Sequence, residues 1–148
     1  MNEIVQANLK HLDEVTKLFD AYRVFYGQTS DLSAARSFVQ QRLEQRDSVI
    51  FVVYRGTVAA GFTQLYPTFS SVQMKRVWIL NDLYVDPEFR QSGVAESLME
   101  QARGLGIETK SAAITLQTAT DNINAQSLYH KLGYKKAMSF YQYRLGIE

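Results

Sequence analysis

The sequence predicts an α/β fold: a mixed, mostly antiparallel central sheet with helices on both faces. Three observations predict it. Strand-like and helix-like stretches succeed one another in the order β-α-α-β-β-β-α-β-α-β, with no internal repeat and no low-complexity linker. In residues 80–102, LNDLYVDPEFRQSGVAESLMEQA, a strand passes into a helix through a turn that holds a glycine. The length of 148 residues, with 46% apolar and 21% charged content, suits a single globular domain over residues 1–148 with a real core.

Ile4 and Val5 mark a short first strand, and Asn8 is placed to cap the helix after it. Leu12, Val15, Leu18, Phe19, Tyr22 and Phe25 recur at three- and four-residue steps, an amphipathic helix that Gly27 ends. Ser33 is the cap expected for a second helix, whose apolar face carries Ala35, Phe38, Val39 and Leu43. Residues 49–54 form a buried β-branched strand, Arg55 and Gly56 a turn, and residues 57–66 the return strand, which Pro67 is expected to stop. Residues 68–75 read as a polar loop and residues 76–85 as the fourth strand. The next helix carries Val94, Leu98 and Ala102 on one face, with Gly104 and Gly106 expected to end it. Residues 113–118 read as a fifth strand and residues 124–132 as a helix ending at Gly133. The tail over residues 137–145, with Met138, Phe140, Tyr141 and Tyr143, reads as strand-rich.

Composition excludes several classes. There is no cysteine, so disulfides, thiolate metal sites and cysteine nucleophiles are out. His11 and His130 are the two histidines, too few for a histidine-rich centre, and no metal is expected. His130 lies about 100° round its helix from Tyr129 and is expected to be exposed, as is His11. A net charge of +1 gives no bulk attraction to nucleic acid or to a membrane surface, and neither is expected as a partner. The first residues, MNEIVQAN, lack the basic region and apolar core of a secretory leader, and no apolar run is long enough to span a bilayer; a cytoplasmic location is expected.

The turn has chemical content. A helix start carries amides without intrahelical acceptors and a partial positive charge. Gly93 has no side chain, Ala95 only a methyl group, and Arg90 adds a cation. The stretch suits a phosphate or diphosphate, although a lone glycine in such a place is more often simply a turn. The dinucleotide and P-loop fingerprints, which need further glycines or Gly-Lys-Ser/Thr, are absent.

Arg90-Gln91-Ser92-Gly93-Val94-Ala95 resembles the Arg/Gln-x-x-Gly-x-Gly/Ala motif of the GCN5-related N-acetyltransferases, and LNDLYVDPEF before it resembles that family's fourth strand. A second block, DNINAQSLYHKLGY at 121–134, is similar to the family's Asn-x-x-Ala-x-x-Leu-Tyr-x-x-x-Gly-Phe/Tyr signature through Asn122, Ala125, Leu128, Tyr129, Gly133 and Tyr134. The order of elements fits the family along nearly the whole chain. The resemblance implies the acyl-CoA N-acyltransferase fold and direct transfer of acetyl from acetyl-CoA, as cosubstrate, to a primary amine. It implies that the diphosphate meets the backbone of Gln91, Ser92, Gly93, Val94, Ala95 and Glu96, with Arg90 or Gln91 near the charge. It implies an oxyanion donor among the amides of Leu83, Tyr84 and Val85, contact of Asn122 with the pantetheine arm, and Tyr129 near the cofactor sulfur as donor to the leaving thiolate.

Read as residues alone, Tyr129 also suits a core tyrosine and Asn122 a helix cap. Asp82 has two readings as well: the base that helps an ammonium of pKa about 10.4 lose its proton, or a carboxylate holding a neighbouring loop. Asn81 is expected on the opposite side of the sheet from Asp82. Polyamine-acetylating relatives often carry an acidic residue at the Asn81 position, so its absence leaves an ordered water chain as another route for the proton. The acceptor is expected to be a small amine, polyamine or amino acid bound near Tyr22, Phe25, Tyr26 and Tyr66, which suit either a cation site or a core. The alternatives are acetylation of a protein lysine or N-terminus, and a non-catalytic acyl-CoA-binding sensor. The aromatic tail suits either an interface strand of a homodimer or an internal strand.

Overall fold

The structure is a computed structural model, and it describes residues 2–148. The chain divides into two compact units, Met1–Gln117 and Thr118–Glu148. Among the described residues there are five strands and four α-helices.

The first unit holds the sheet. Its strands are β1 (Asn2–Gln6), β2 (Val49–Arg55), β3 (Val58–Ser70), β4 (Lys75–Val85) and β5 (Ala113–Thr115), and they lie side by side in that order. The first three pairings are antiparallel, and β5 runs parallel to β4 through three residue pairs. The fold is therefore the mixed, mostly antiparallel sheet that the sequence predicts. Helices α1 (Leu12–Phe25) and α2 (Leu32–Gln45) pack their apolar stripe on one face. Val15, Leu18, Phe19, Ala35 and Val39 meet Ile50, Val52, Phe62 and Tyr84 there. Helix α3 (Val94–Glu108) takes the other face and buries Val94, Leu98, Met99 and Ala102.

Several boundaries differ from the sequence expectation. Asp31, not Ser33, caps α2; its carboxylate accepts from the Ala34 amide at 3.0 Å. Pro67 does not stop β3. Beyond Leu65 that strand has no β2 partner, so proline there removes no ladder bond, and the hairpin with β4 continues to Ser70 opposite Lys75. The expected loop at 68–75 thus shrinks to residues 71–74. Helix α3 runs through Gly104 and Gly106 to Glu108. A Cβ at Gly106 would meet Ile114 at 3.5 Å, an ordinary contact. The strand expected at 113–118 is formed only at Ala113–Thr115. His11 is half-buried rather than exposed; its ring nitrogen accepts from the Asn8 amide at 3.0 Å and closes the capping box.

The second unit contains α4 (Ile123–Lys131), capped by Asn122, whose side-chain oxygen accepts from the Ala125 amide at 3.2 Å. His130 is exposed, as expected. No strand forms in the tail: residues 135–148 are irregular, and Phe140, Tyr141 and Tyr143 stand in solvent. Alternating apolar residues make a strand only where a neighbouring edge supplies the ladder.

One glycine in the sheet has no room for change. A Cβ at Gly61 would lie 2.8 Å from the Tyr84 carbonyl oxygen and 3.1 Å from Val94, so β3, β4 and α3 converge on it. Gly61→Ala is expected to cost about 1–3 kcal/mol, seen as a lower urea midpoint with an unchanged denaturant slope.

Candidate active site

The site begins with one extra residue in β4. Gln64 pairs with Asp82 and Leu65 with Leu80, so Asn81 has no partner and forms a β-bulge. Before the bulge, Trp78 points towards α3, where its ring N–H donates to the Thr109 hydroxyl at 2.9 Å. After the bulge, Tyr84 belongs to the core beneath α1 and α2. Trp78, Leu80, Asp82 and Tyr84 have the same parity, yet the first two face one way and the last two the other. An added residue inverts the strand's faces, and that brings Asp82 round to α1. The expected alternation of Asn81 and Asp82 is corrected accordingly: the Asn81 side-chain amide donates to Asp82 Oδ1 at 2.9 Å.

Asp82 is 3% exposed. Besides Asn81 it accepts from the Gln64 amide and lies within hydrogen-bonding reach of the Tyr22 hydroxyl. Gln64 is fixed at its other end by Ser48, whose hydroxyl donates to Oε1 at 2.8 Å. Burial raises the Asp82 carboxyl above its ordinary value, and the bonds from Gln64, Asn81 and Tyr22 hold it back. Among the described residues the side chain makes no ion pair.

Around Tyr22 the end of α1 gathers aromatic rings. Its centroid lies 5.0 Å from Tyr26 and 6.4 Å from Tyr84, and Phe25 lies 5.3 Å from Tyr26. Phe25 and Tyr26 are 57% and 52% exposed, so these rings face solvent rather than forming a core. Tyr66 on β3 feels the Asp82 charge; burial, with that charge second, lifts its hydroxyl to about 12.

Among the described residues no second strand pairs with the latter half of β4 on its far side. β5 pairs only with Val77, Trp78 and Ile79. The Asp86 amide donates to the Ala60 carbonyl of β3 at 2.8 Å. By antiparallel alternation the Tyr84 amide also turns towards β3, and those of Leu83 and Val85 turn to the open side. On that side Arg90 donates from Nε to the Val85 carbonyl at 3.0 Å. Its guanidinium lies 5.5 Å from the Phe25 ring centre and 5.6 Å from that of Tyr84.

The turn after the strand is held in unusual backbone geometry. Gln91 has φ 60° and Gly93 φ 83°, and Gly93 is the N-cap of α3. Nothing lies within 4 Å of where a Cβ on Gly93 would be. The first bond of the helix runs from the Ser97 amide to the Gly93 carbonyl, 3.0 Å, so Val94 and Ala95 have no intrahelical acceptor for their amides. Glu96 stands in the same first turn. Left-handed residues before a helix start make a concave set of N–H groups that suits an anion, and the open space at Gly93 leaves room for one. The residues present thus fit a diphosphate.

Sequence reasoning missed the residue that braces this turn. Arg55, at the end of β2, donates from Nη2 to the Ser92 carbonyl at 2.9 Å and from Nε to the Asn2 side chain. Asn2 donates to Ser97 Oγ at 3.1 Å, and Ser97 Oγ donates to the Gly93 carbonyl at 2.9 Å. Carbonyl and amide of one peptide point opposite ways, so holding Ser92 and Gly93 by their oxygens aims the next amides outwards. No local pattern marks Arg55. Gln64 did carry a signal, a polar residue inside the apolar run FTQLY.

In the second unit Tyr129 is half-buried on α4, its ring centre 6.0 Å from that of Tyr134. Asn122 spends its side-chain oxygen on the helix cap.

Known proteins share this architecture. A model of the Acetyltransferase (GNAT) family matches residues 12–134. A protein of Bacillus subtilis (strain 168), "Uncharacterized N-acetyltransferase YhfO", is 42% identical over 144 residues, 97% of this chain and 97% of that protein. A "Probable acetyltransferase" of Haemophilus influenzae is 28% identical over 134 residues, 90% of each chain. A solved "probable acetyltransferase" has a TM-score of 0.94 at 41% identity, covering 99% of this chain and 98% of that one. AAC(6')-Iy, solved with a CoA-linked bisubstrate analogue, has a TM-score of 0.77 at 24% identity over 98% of this chain and 99% of its own, a likeness of fold.

The buried carboxyl has a consequence for stability. A carboxyl raised in the fold binds its proton more tightly there than in the unfolded chain. Its contribution is fully present below 3.8 and is lost as pH rises from 3.8 through the folded-state value. Urea midpoints taken across that window should fall for the wild type relative to Asp82→Asn. Parallel curves for the two proteins would contradict the assignment.

Proposed function

The chain belongs to the GNAT acetyltransferase family and is an acetyl-CoA-dependent N-acetyltransferase, and we propose that its acceptor is the primary amine of a small molecule. One observation carries this reading. The half of β4 that β5 leaves unpaired, the left-handed turn before α3, and Asp82 beside the aromatic rings at the end of α1 all fall within residues 81–93. The fold also serves small acceptors elsewhere: AAC(6')-Iy was solved with CoA-S-monomethyl-acetylneamine, and an aminoglycoside acetyltransferase from a soil metagenome with sisomicin.

Acetyl-CoA, when bound, supplies a thioester for attack by a neutral amine. The chain's own groups do the rest. Backbone amides from Gln91 to Glu96 hold the diphosphate, and the helix dipole and Arg90 favour its charge. The amides of Leu83 and Val85 stand on the open edge, where a carbonyl oxygen gaining negative charge needs a donor fixed in advance. Tyr129 donates a hydrogen bond to the leaving thiolate; a phenol of pKa about 10 is too weak an acid to protonate it fully, so stabilisation by the bond suffices. Asn122 supports the pantetheine arm by fixing the start of the helix that carries Tyr129. Asp82 takes up the proton that the amine must lose. An alkylammonium with pKa about 10.4 holds that proton by roughly 4–5 kcal/mol at neutral pH, which is the cost this carboxyl has to offset.

Two measurements test these placements. Gly93→Val puts a branched side chain where the diphosphate lies and forces it into the left-handed region, at a strain of about 1–3 kcal/mol. Calorimetric titration should show acetyl-CoA affinity lower by at least about ten-fold; unaltered affinity refutes the turn as the diphosphate site. Tyr129→Phe should lower turnover by about ten-fold, some 1.4 kcal/mol of barrier, with acetyl-CoA binding nearly unchanged. Full turnover in that variant removes Tyr129 from the mechanism.

A further inference from the structure

Asp82 is a buried carboxyl surrounded by neutral donors. Buried charges are ordinarily paired, because desolvation leaves an isolated one strongly disfavoured. Gln64, Asn81 and Tyr22 supply hydrogen bonds but no positive charge, and among the described residues no cation pairs with this side chain. The missing countercharge is best read as the ligand's.

The way in is set by the three donors. Gln64 is buried and tied to Ser48. The Asn81 amide is exposed on the bulge, but an amide neither accepts nor releases a proton at neutral pH. Tyr22 is different. Its hydroxyl has one proton and two acceptors facing it, the Asn81 carbonyl at 3.3 Å and the Asp82 carboxyl. A hydroxyl can take a proton on oxygen while it gives one up.

The aromatic rings beside Tyr22 also suit a cation. Phe25 and Tyr26 expose their rings beside Tyr22. The Arg90 guanidinium lies over Phe25 and Tyr84, and Tyr26 carries the exposed ring that no cation of the described residues covers.

Resting on the acetyltransferase reading above, we propose that Tyr22, Asp82 and the exposed ring of Tyr26 form the acceptor-ammonium site, and that Tyr22 is a catalytic residue that relays the amine's proton to Asp82. The N–H bond of the ammonium breaks as an O–H bond forms at Tyr22 Oη. The original O–H bond of Tyr22 breaks as its proton passes to an Asp82 carboxyl oxygen. The nitrogen keeps its electron pair for the thioester carbonyl, and Asp82 returns the proton to solvent after the product leaves.

The surroundings are consistent with this. Burial first, and the Asp82 charge second, push the Tyr22 hydroxyl far up, so it stays protonated and works as a relay rather than as a phenolate. Tyr26, just after α1, and Tyr66 from β3 are the other titratable groups that act on it. Behind Tyr66, Arg42 and Asp47 pair with each other at 2.8 Å. The substrate class is then a primary ammonium on a neutral or cationic chain, with an anionic tail opposed by the Asp82 charge and by the negative ring faces.

Butylamine, putrescine and γ-aminobutyrate share a four-carbon chain and differ in the charge at its far end. With free CoA as the readout, the first two should be acetylated at least about ten-fold more efficiently in kcat/KM than the third. Tyr22→Phe keeps the ring and removes the relay. Its kcat with putrescine should fall at least about ten-fold near neutral pH, with acetyl-CoA affinity unchanged by calorimetry. The deficit should close as pH approaches about 10, where solution supplies the free amine. Equal use of γ-aminobutyrate, or transfer to none of the three by enzyme that still binds acetyl-CoA, overturns the acceptor site. A deficit independent of pH overturns the relay. Failure of the wild type to bind acetyl-CoA overturns the underlying acetyltransferase reading instead.

Discussion

One unpaired residue, Asn81, organises this molecule. A regular strand from Trp78 to Tyr84 would send every second side chain to the same face, and Asp82 would lie under α3 with Trp78 and Leu80. The bulge inverts the order after Leu80. Asp82 and Tyr84 then lie beneath α1, level with Tyr22, while Leu83 and Val85 keep their amides on the edge that β5 leaves open. A single strand thereby faces both reactants, the acceptor through its side chains and the thioester through its backbone.

The turn after that strand depends on a different kind of constraint. Gln91 is a non-glycine residue in left-handed geometry, and it is kept there by bonds on the far side of the turn. Arg55 and the Asn2–Ser97 pair hold the carbonyls of Ser92 and Gly93. These partners come from β2, β1 and α3, so the turn is fixed by tertiary structure and not by its own sequence. Strain of this sort persists only where the surroundings over-determine it.

Legibility in the sequence divides the same way. The helices are readable because periodic Leu, Val and Phe positions bury one stripe, and β2 because six apolar residues run together at 49–54. Where the sequence misleads, a neighbour decides the outcome. Pro67 stays in β3 because β2 has already ended. The tail at 137–145 carries alternating apolar residues, but strand formation needs an edge to pair with. At the site, Asp82, Gly93 and Arg90 can be picked out as residues, the last two by the family motif. The bulge, the brace at Arg55 and the bond between Tyr22 and Asp82 cannot. Each joins positions far apart in the chain, Arg55 and Ser92 by 37 residues and Tyr22 and Asn81 by 59.

The distribution of irregularities carries the functional argument further than any single residue does. Other non-glycine residues with positive φ sit where a chain reversal explains them: Arg46 ends α2, Met74 is at the hairpin tip, and Lys110 comes just after α3. Residues 81–93 are different. They contain a bulge, a buried carboxyl without a countercharge, a strand edge with no neighbour, and a left-handed glutamine at a helix start. Each is unfavourable in the isolated fold, and each becomes favourable once a particular group arrives: an ammonium beside Asp82, a developing oxyanion at the free amides, a diphosphate at the turn. Four such departures within thirteen residues place the strain where ligand binding can relieve it.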